Sequence, residues 1–271
     1  MHFAVVFIIV AFIYMHVRHQ TRTHDARDAL QRGHVSKEQL EELCDDRLPC
    51  VMTPLDYVAP LIEATNGAAE AMGGEKDECD NGGLRDLGRR DALLRADAHL
   101  RPAMTVLVDY AVHPSGSKAG ARLHWSHRQF YLCSKGSATV TLFPPRNHKH
   151  LHSVPSRDGL SARAAVDVFE PSERHKDAAG KLTPIAVPLV SGDLLYVPPG
   201  WWSAVEVDDG GVVLRAEYRT AATLLASAPR IIAVLIGSTG IGESSPLIEV
   251  SDAATIDEHA SKKVGVDTNI K

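Results

Sequence analysis

The chain has 271 residues, 44% of them apolar and 23% charged, with a formal net charge of −5. That length allows one sizeable domain with extensions or two small ones, and the apolar share is enough for a real core. The mild negative balance argues against a nucleic-acid partner, and four scattered cysteines with no CxxC pair argue against a disulfide framework, leaving Cys44 with Cys50 as a candidate bridge.

The first segment, "MHFAVVFIIVAFIYMHV" from Met1 to Val17, carries no acid or base except His2 and His16. About 17 apolar residues are near the lower limit for crossing a bilayer. A cleavable signal peptide would place Lys or Arg before the run and small residues after it, whereas here only His2 precedes it and "RHQTR" follows. The expectation is a retained transmembrane helix over residues 1–17, with the lipid bilayer as its partner. Arg18 and Arg22 flank its C-terminal side, which puts the N-terminus outside and the domain on the cytoplasmic side of a single-pass protein. The absence of an Asn-x-Ser/Thr sequon agrees with that placement.

A polar linker over 18–35 follows, then a domain over 36–237 and a polar tail over 238–271. Ser36 opens a helix, "SKEQLEELCDD", with Gln39 placed to complete a capping box and Leu40 and Leu43 on its apolar face. "LPCVM" reads as a first short strand. Asn66 to Gly88, rich in Gly, Ala and charge, reads mostly as loop, and "RRDALLRADAHL" as a helix. From Met104 the pattern becomes period two. "MTVLVDYAV", "RQFYLCS", "SATVTLF", "LTPIAVPLV", "DLLYV", "WWSAVEV" and "VVLRAEY" are strand-like, and "DDGG" joins the last two as a hairpin. The insertion from His148 to Gly180 has no strong periodicity. "AATLLASAPRIIAVLIG" reads as a helix broken near Pro229, too short and interrupted for a second span. The fold class is therefore mainly β: a sandwich or barrel with jelly-roll closure, flanked by helices.

Two segments resemble the cupin-like family of JmjC type, whose fold is a double-stranded β-helix. "LHWSHRQFYLCSKGSATVTLFPP" (Leu123 to Pro145) is similar to its first half-site, where a His-x-Asp pair precedes a strand, a glycine turn, a strand and a Pro-Pro. "VPLVSGDLLYVPPGWWSAVEV" (Val187 to Val207) is similar to the second, where Trp precedes a histidine. The short anchor, "LEELCDDRLPCVM" and a late "YRT" before a helix also resemble membrane-anchored cupin-like proteins of large DNA viruses that infect algae. That likeness implies a virion or host internal membrane.

Active members of the family are Fe(II)- and 2-oxoglutarate-dependent oxygenases, with two histidines and a carboxylate on one face of the iron. Carried over residue by residue, His124 matches the first histidine. Ser126 falls where the carboxylate belongs, and Ser203 where the second histidine belongs. Ala138 occupies the place of a lysine that holds 2-oxoglutarate. One imidazole and two hydroxyls are a poor ligand set for iron. Nor do neighbours substitute, since strand parity turns His127 away from His124 and Glu206 away from Ser203. The resemblance therefore implies a catalytically inactive barrel, a pseudoenzyme without cofactor, serving as a binding or structural module for an unidentified protein or small-molecule ligand. The alternative is a working oxygenase, a JmjC-type hydroxylase or demethylase, using Fe(II) and 2-oxoglutarate through an atypical ligand set around His124.

Other motifs read more plainly. His148, His150 and His152 would share a face on a strand and suit a transition metal, but the segment also reads as a solvated loop. His113, next to Pro114, reads as a turn residue. Trp125, Trp201 and Trp202 are candidates for lining a pocket, with burial alone as the competing explanation for the last two.

Overall fold

The computed structural model describes residues 23–53, 56–71 and 87–238, together with helical positions Phe7, Ala11, Phe12, Tyr14 and Met15. The expected anchor over 1–17 otherwise lies outside the described residues, as does the tail from 239. Among the described residues no helix is long and apolar enough to cross a membrane. The elements up to Leu235 form one compact unit. The second unit, residues 236–271, is described only at the end of its leading helix.

Among the described residues, twelve strands form two six-stranded sheets. The first has the order β1-β2-β10-β5-β12-β3 and the second β7-β8-β4-β11-β6-β9. In the first sheet these are β1 (Leu30–Arg32), β2 (Cys50–Met52), β3 (Thr105–His113), β5 (Arg128–Lys135), β10 (Leu194–Val197) and β12 (Val212–Thr220). The second holds β4 (Lys118–His124), β6 (Ser137–Phe143), β7 (Ser153–Pro155), β8 (Ser161–Ala164), β9 (Ile185–Val190) and β11 (Trp202–Val207). Every pairing is antiparallel except β1 with β2. This mainly β, two-sheet architecture fits a sandwich of jelly-roll type.

Period-two alternation sorts each strand into layers. On β12, Leu214, Ala216 and Tyr218 face helices α1 (Lys37–Asp46), α2 (Ala59–Ala71) and α3 (Leu87–Ala96), joining Leu40, Leu61 and Leu93 in one apolar cluster. Val213 turns the other way, into a cluster between the sheets with Cys133, Val140, Leu189 and Val205. A third cluster lies outside the second sheet, where Phe143, Leu151, Ala162 and Trp202 pack under the insertion.

Local chemistry fixes the ends of these elements. Ser36 caps α1 in a reciprocal box: its hydroxyl accepts from Gln39 N at 3.4 Å, and Gln39 Oε1 accepts from Ser36 N at 2.9 Å. The β5–β6 turn needs Gly136 at φ +66°, because a Cβ there would stand 2.8 Å from the backbone of Gly211. Buried Arg128 at the start of β5 forks onto Glu41 of α1, tying helix to sheet.

Several expectations need correction. Part of the stretch from Asn66, read as loop, is the second half of α2, and residues 72–86 lie outside the described residues. The helix read as broken near Pro229 runs unbroken as α5 (Ala221–Ser238). Pro229 sits on its exposed side, where water can serve the carbonyl that the ring leaves unbonded. The insertion carries β7 and β8 as well as short helical turns, including α4 (Lys176–Ala179). Cys44 and Cys50 are both free, buried thiols, so the candidate bridge is not formed. His113 is no turn residue: it ends β3, opposite Val213, and is 1% exposed.

Candidate functional site

One end of the space between the sheets is apolar and the other is polar, and β12 runs through both. After Val213, the inward positions are Arg215, Glu217 and Arg219, each nearly inaccessible to solvent. Because β12 lies between β5 and β3, these side chains cannot escape at a sheet edge. Glu217 is the hub. Its Oε2 accepts from Arg219 Nη2 at 2.7 Å, while its Oε1 lies 3.0 Å from Arg215 Nε and 2.8 Å from His124 Nδ1. Arg219 also reaches Asp109 on β3 at 3.5 Å, bridging two carboxylates that stand directly opposite across the strands.

The charges decide the protonation of His124. Two guanidinium groups already flank Glu217, so a protonated imidazole would add a further positive charge in a buried space. Burial accordingly lowers His124 below its ordinary value, against the pull of Glu217. Burial alone would raise the Glu217 carboxyl, but His124, Arg219 and Arg215 outweigh it and hold the group well below the usual carboxylate range. A carboxylate only accepts, so the neutral imidazole carries its proton on Nδ1 and presents Nε2 as an unprotonated acceptor. That Nε2 is buried and has no hydrogen-bond partner.

A second polar group sits beside the first. Glu217 stands opposite Gln129, and Gln129 Nε2 donates to Tyr131 Oη at 3.0 Å and to Ser203 Oγ at 3.4 Å. Tyr131 and Ser203 share a hydrogen bond of 2.8 Å across the two sheets. Ser203 is thus a satisfied core hydroxyl, 2% exposed.

The remaining sequence-derived positions separate. Ser126 leaves this network and lines a cavity of about 220 Å³ at the barrel end, with Trp125, Gly200, Thr223, Ser227 and Arg230. Arg230 lies over the Trp125 ring, 4.5 Å from its centroid. Ala138 is buried among the apolar side chains between the sheets, opposite Val207 and Leu189. Trp201 and Trp202 are fully buried and do not line the Trp125 cavity. Trp201 Nε1 donates to His24 O at 2.9 Å, and Trp202 Nε1 to His148 Nδ1 at 3.3 Å. Exposed His148 and half-buried His150 lie in a 3₁₀ turn, Pro145–His150, and His152 instead stacks on His175, so the three imidazoles share no face. Glu206 pairs with Lys118 on the outer surface, as strand parity requires.

Sequence reasoning missed Arg215, Glu217, Arg219 and Gln129. The signal was present in "VLRAEYRT", where charge alternates with apolar residues on a strand that hydrogen-bonds on both edges. Such a strand is covered on both faces, so its charged set must pair internally.

The donors here do not suit Fe(II). His124 offers one nitrogen, Glu217 is engaged by two guanidinium groups, and those fixed positive charges oppose a divalent cation. Among the described residues no three His, Cys, Asp or Glu side chains gather closely enough to hold a metal ion.

Residues 112–223 match the family model of a cupin-like domain. The matched segment contains His124, Ser126, Ala138, Ser203 and the whole of β12, and it supports a cupin or JmjC-type family for this part of the chain. No curated protein matches the chain.

Proposed function

We propose that this chain is a cupin-like barrel without metal-dependent catalysis, acting as a binding or structural module tethered to a membrane by residues 1–17. One observation carries the non-catalytic reading. The carboxylate beside His124 is consumed by the Arg215–Glu217–Arg219 network, and the two guanidinium charges held there oppose a divalent cation. Ser203, spent on Tyr131, and Ala138, in the apolar core, add neither a ligand nor a cation for 2-oxoglutarate. The partner is a protein or small molecule, and the bilayer a virion or host internal membrane, as the viral resemblance implies.

One feature favours the alternative, an oxygenase with an atypical ligand set. An imidazole held at Nδ1 by a carboxylate, with Nε2 unpartnered, is how metal-bound histidines are commonly oriented. Incubating the full chain with Fe(II), ascorbate and 2-oxoglutarate and measuring succinate separates the two. The non-catalytic reading expects no succinate above a His124→Ala control. Succinate release that depends on His124 establishes the oxygenase.

A further inference from the structure

Helix α5 is polar toward the barrel and apolar toward solvent, the reverse of an ordinary surface helix. Its buried positions are Thr223 and Ser227, whose hydroxyls donate to Thr220 O and Thr223 O at 2.9 Å each. Arg230, the one charged residue of the helix, lies over the Trp125 ring of the barrel. On the opposite side Ala221, Leu225, Pro229 and Ile232 follow at helical spacing, and all four are exposed. Leu225 and Ile232 each leave more than half of their surface open.

The N-terminal part of the chain leaves the barrel beside this helix. His24 O accepts from Trp201 Nε1 at 2.9 Å, and Thr23 packs on Gly200, where a Cβ would collide with its side chain. Thr23 lines one cavity with Thr223, Ala226, Ser227 and Arg230 of α5. Only residues 18–22 separate Thr23 from the apolar run over 1–17. That link reaches at most about 18 Å fully extended, against a helix width of about 10–12 Å. It can therefore pass around α5, but it cannot carry the bilayer entry point far from it. Arg18 and Arg22 give the link a positive charge that suits anionic headgroups.

We propose that the outward face of α5 lies on the surface of a phospholipid bilayer, as a second membrane contact beside the segment over 1–17. The inference rests on the membrane-tether reading above. α5 lies in the interface and does not cross it: Pro229 offers no N–H to the Leu225 carbonyl, which then needs water. The same carbonyl disfavours a second copy of the chain as the cover, since a packed seam would bury it without a donor. Contact through α5 also orients the barrel. Val190 pairs with Ser137 beside the β5–β6 turn, and the length of β12 separates that end from α5, so it points away from the lipid.

The test uses the full chain reconstituted in vesicles of phosphatidylcholine and phosphatidylglycerol, with and without bromines carried high on the acyl chains. The variants are Leu225→Trp, Ile232→Trp and, as control, Val190→Trp; all three positions are more than half exposed, so the barrel tolerates the ring. An interfacial helix sinks its apolar face about 5–10 Å into the boundary between headgroups and acyl chains, within reach of those bromines. The emission that Leu225→Trp and Ile232→Trp add to the native chain should therefore shift to the blue and be quenched in brominated vesicles, while that of Val190→Trp should not. Retention on the vesicles after an alkaline wash is scored separately and reports on residues 1–17. Retention with no more quenching at 225 and 232 than at 190 overturns the α5 contact and leaves the anchor standing. Quenching at 225 and 232 in a chain that the wash removes upholds the contact and refutes the anchor. Crosslinking between two copies of an Ile232→Cys variant, without quenching, assigns the face to a second copy and overturns the proposal.

Discussion

Replacing Glu217 by Gln keeps the shape of the side chain and removes its charge. Arg219 then retains only Asp109, at 3.5 Å, and Arg215 loses the carboxylate 3.0 Å from its Nε. Removing one partner from a buried ion pair costs about 3–5 kcal/mol, because the other charge stays buried without compensation. Glu217 is 1% exposed and Arg219 1%, so water offers little relief and the upper half of that range applies. Against a total stability of about 5–15 kcal/mol, the variant should be marginal, with a urea midpoint lower by about 2 M. The companion variant replaces Arg215, Glu217 and Arg219 together by Met, Leu and Met. It removes the desolvation cost along with the attraction, so it should lose less than the single change. Urea unfolding followed by tryptophan fluorescence reads both, since Trp201 and Trp202 are buried within the barrel's apolar clusters. A loss below about 1 kcal/mol for Glu217→Gln, or a triple variant weaker than the single one, refutes the reasoning.

Stability should fall with acidification. His124 titrates below its ordinary 6.5 in the folded chain, so the unfolded chain takes up the proton first and stability drops as pH falls below about 6.5. Glu217, held well below the ordinary carboxylate range, adds a further loss as pH falls below 4.5 and through its folded value. Urea midpoints across pH 2 to 8 should trace the upper limb and the descent of the lower one, and His124→Gln should flatten the upper one. A flat native profile contradicts a neutral buried His124 beside an ionised Glu217. Ser36→Ala should cost about 1 kcal/mol by removing the α1 cap, read as a shift in urea midpoint with unchanged slope. Gly136→Ala should cost about 2 kcal/mol or more, combining a left-handed backbone with a close approach to Gly211, and thermal melting checks it.

The layered β architecture was legible because its strands obey period two and end at Gly, Pro or Asp. β12 and β6 announce themselves in "VVLRAEY" and "SATVTLF". β1, β7 and β8 were not legible, since three or four residues are too few for alternation to register. Strand β4, "KAGARLH", was hidden by Gly120 and by a register shift against β11, which breaks strict alternation. α5 was misread at Pro229 because local propensity cannot say which side of a helix faces water. At the site, the family pattern located His124 and Ser203, and the structure places both side chains in the barrel interior. What the pattern could not supply was the occupant of the space. Glu217 lies 93 positions after His124, and only closure of the two sheets brings them to 2.8 Å.

Whether the barrel holds a divalent metal separates a binding module from an oxygenase. Calorimetric titration of the full native chain with Mn(II), with and without 2-oxoglutarate, measures this directly, alongside elemental analysis of the purified protein. The guanidinium-filled interior predicts no stoichiometric iron and no saturable Mn(II) binding that is lost in His124→Ala. One equivalent of iron per chain, or tight Mn(II) binding that requires His124 and is strengthened by 2-oxoglutarate, contradicts it.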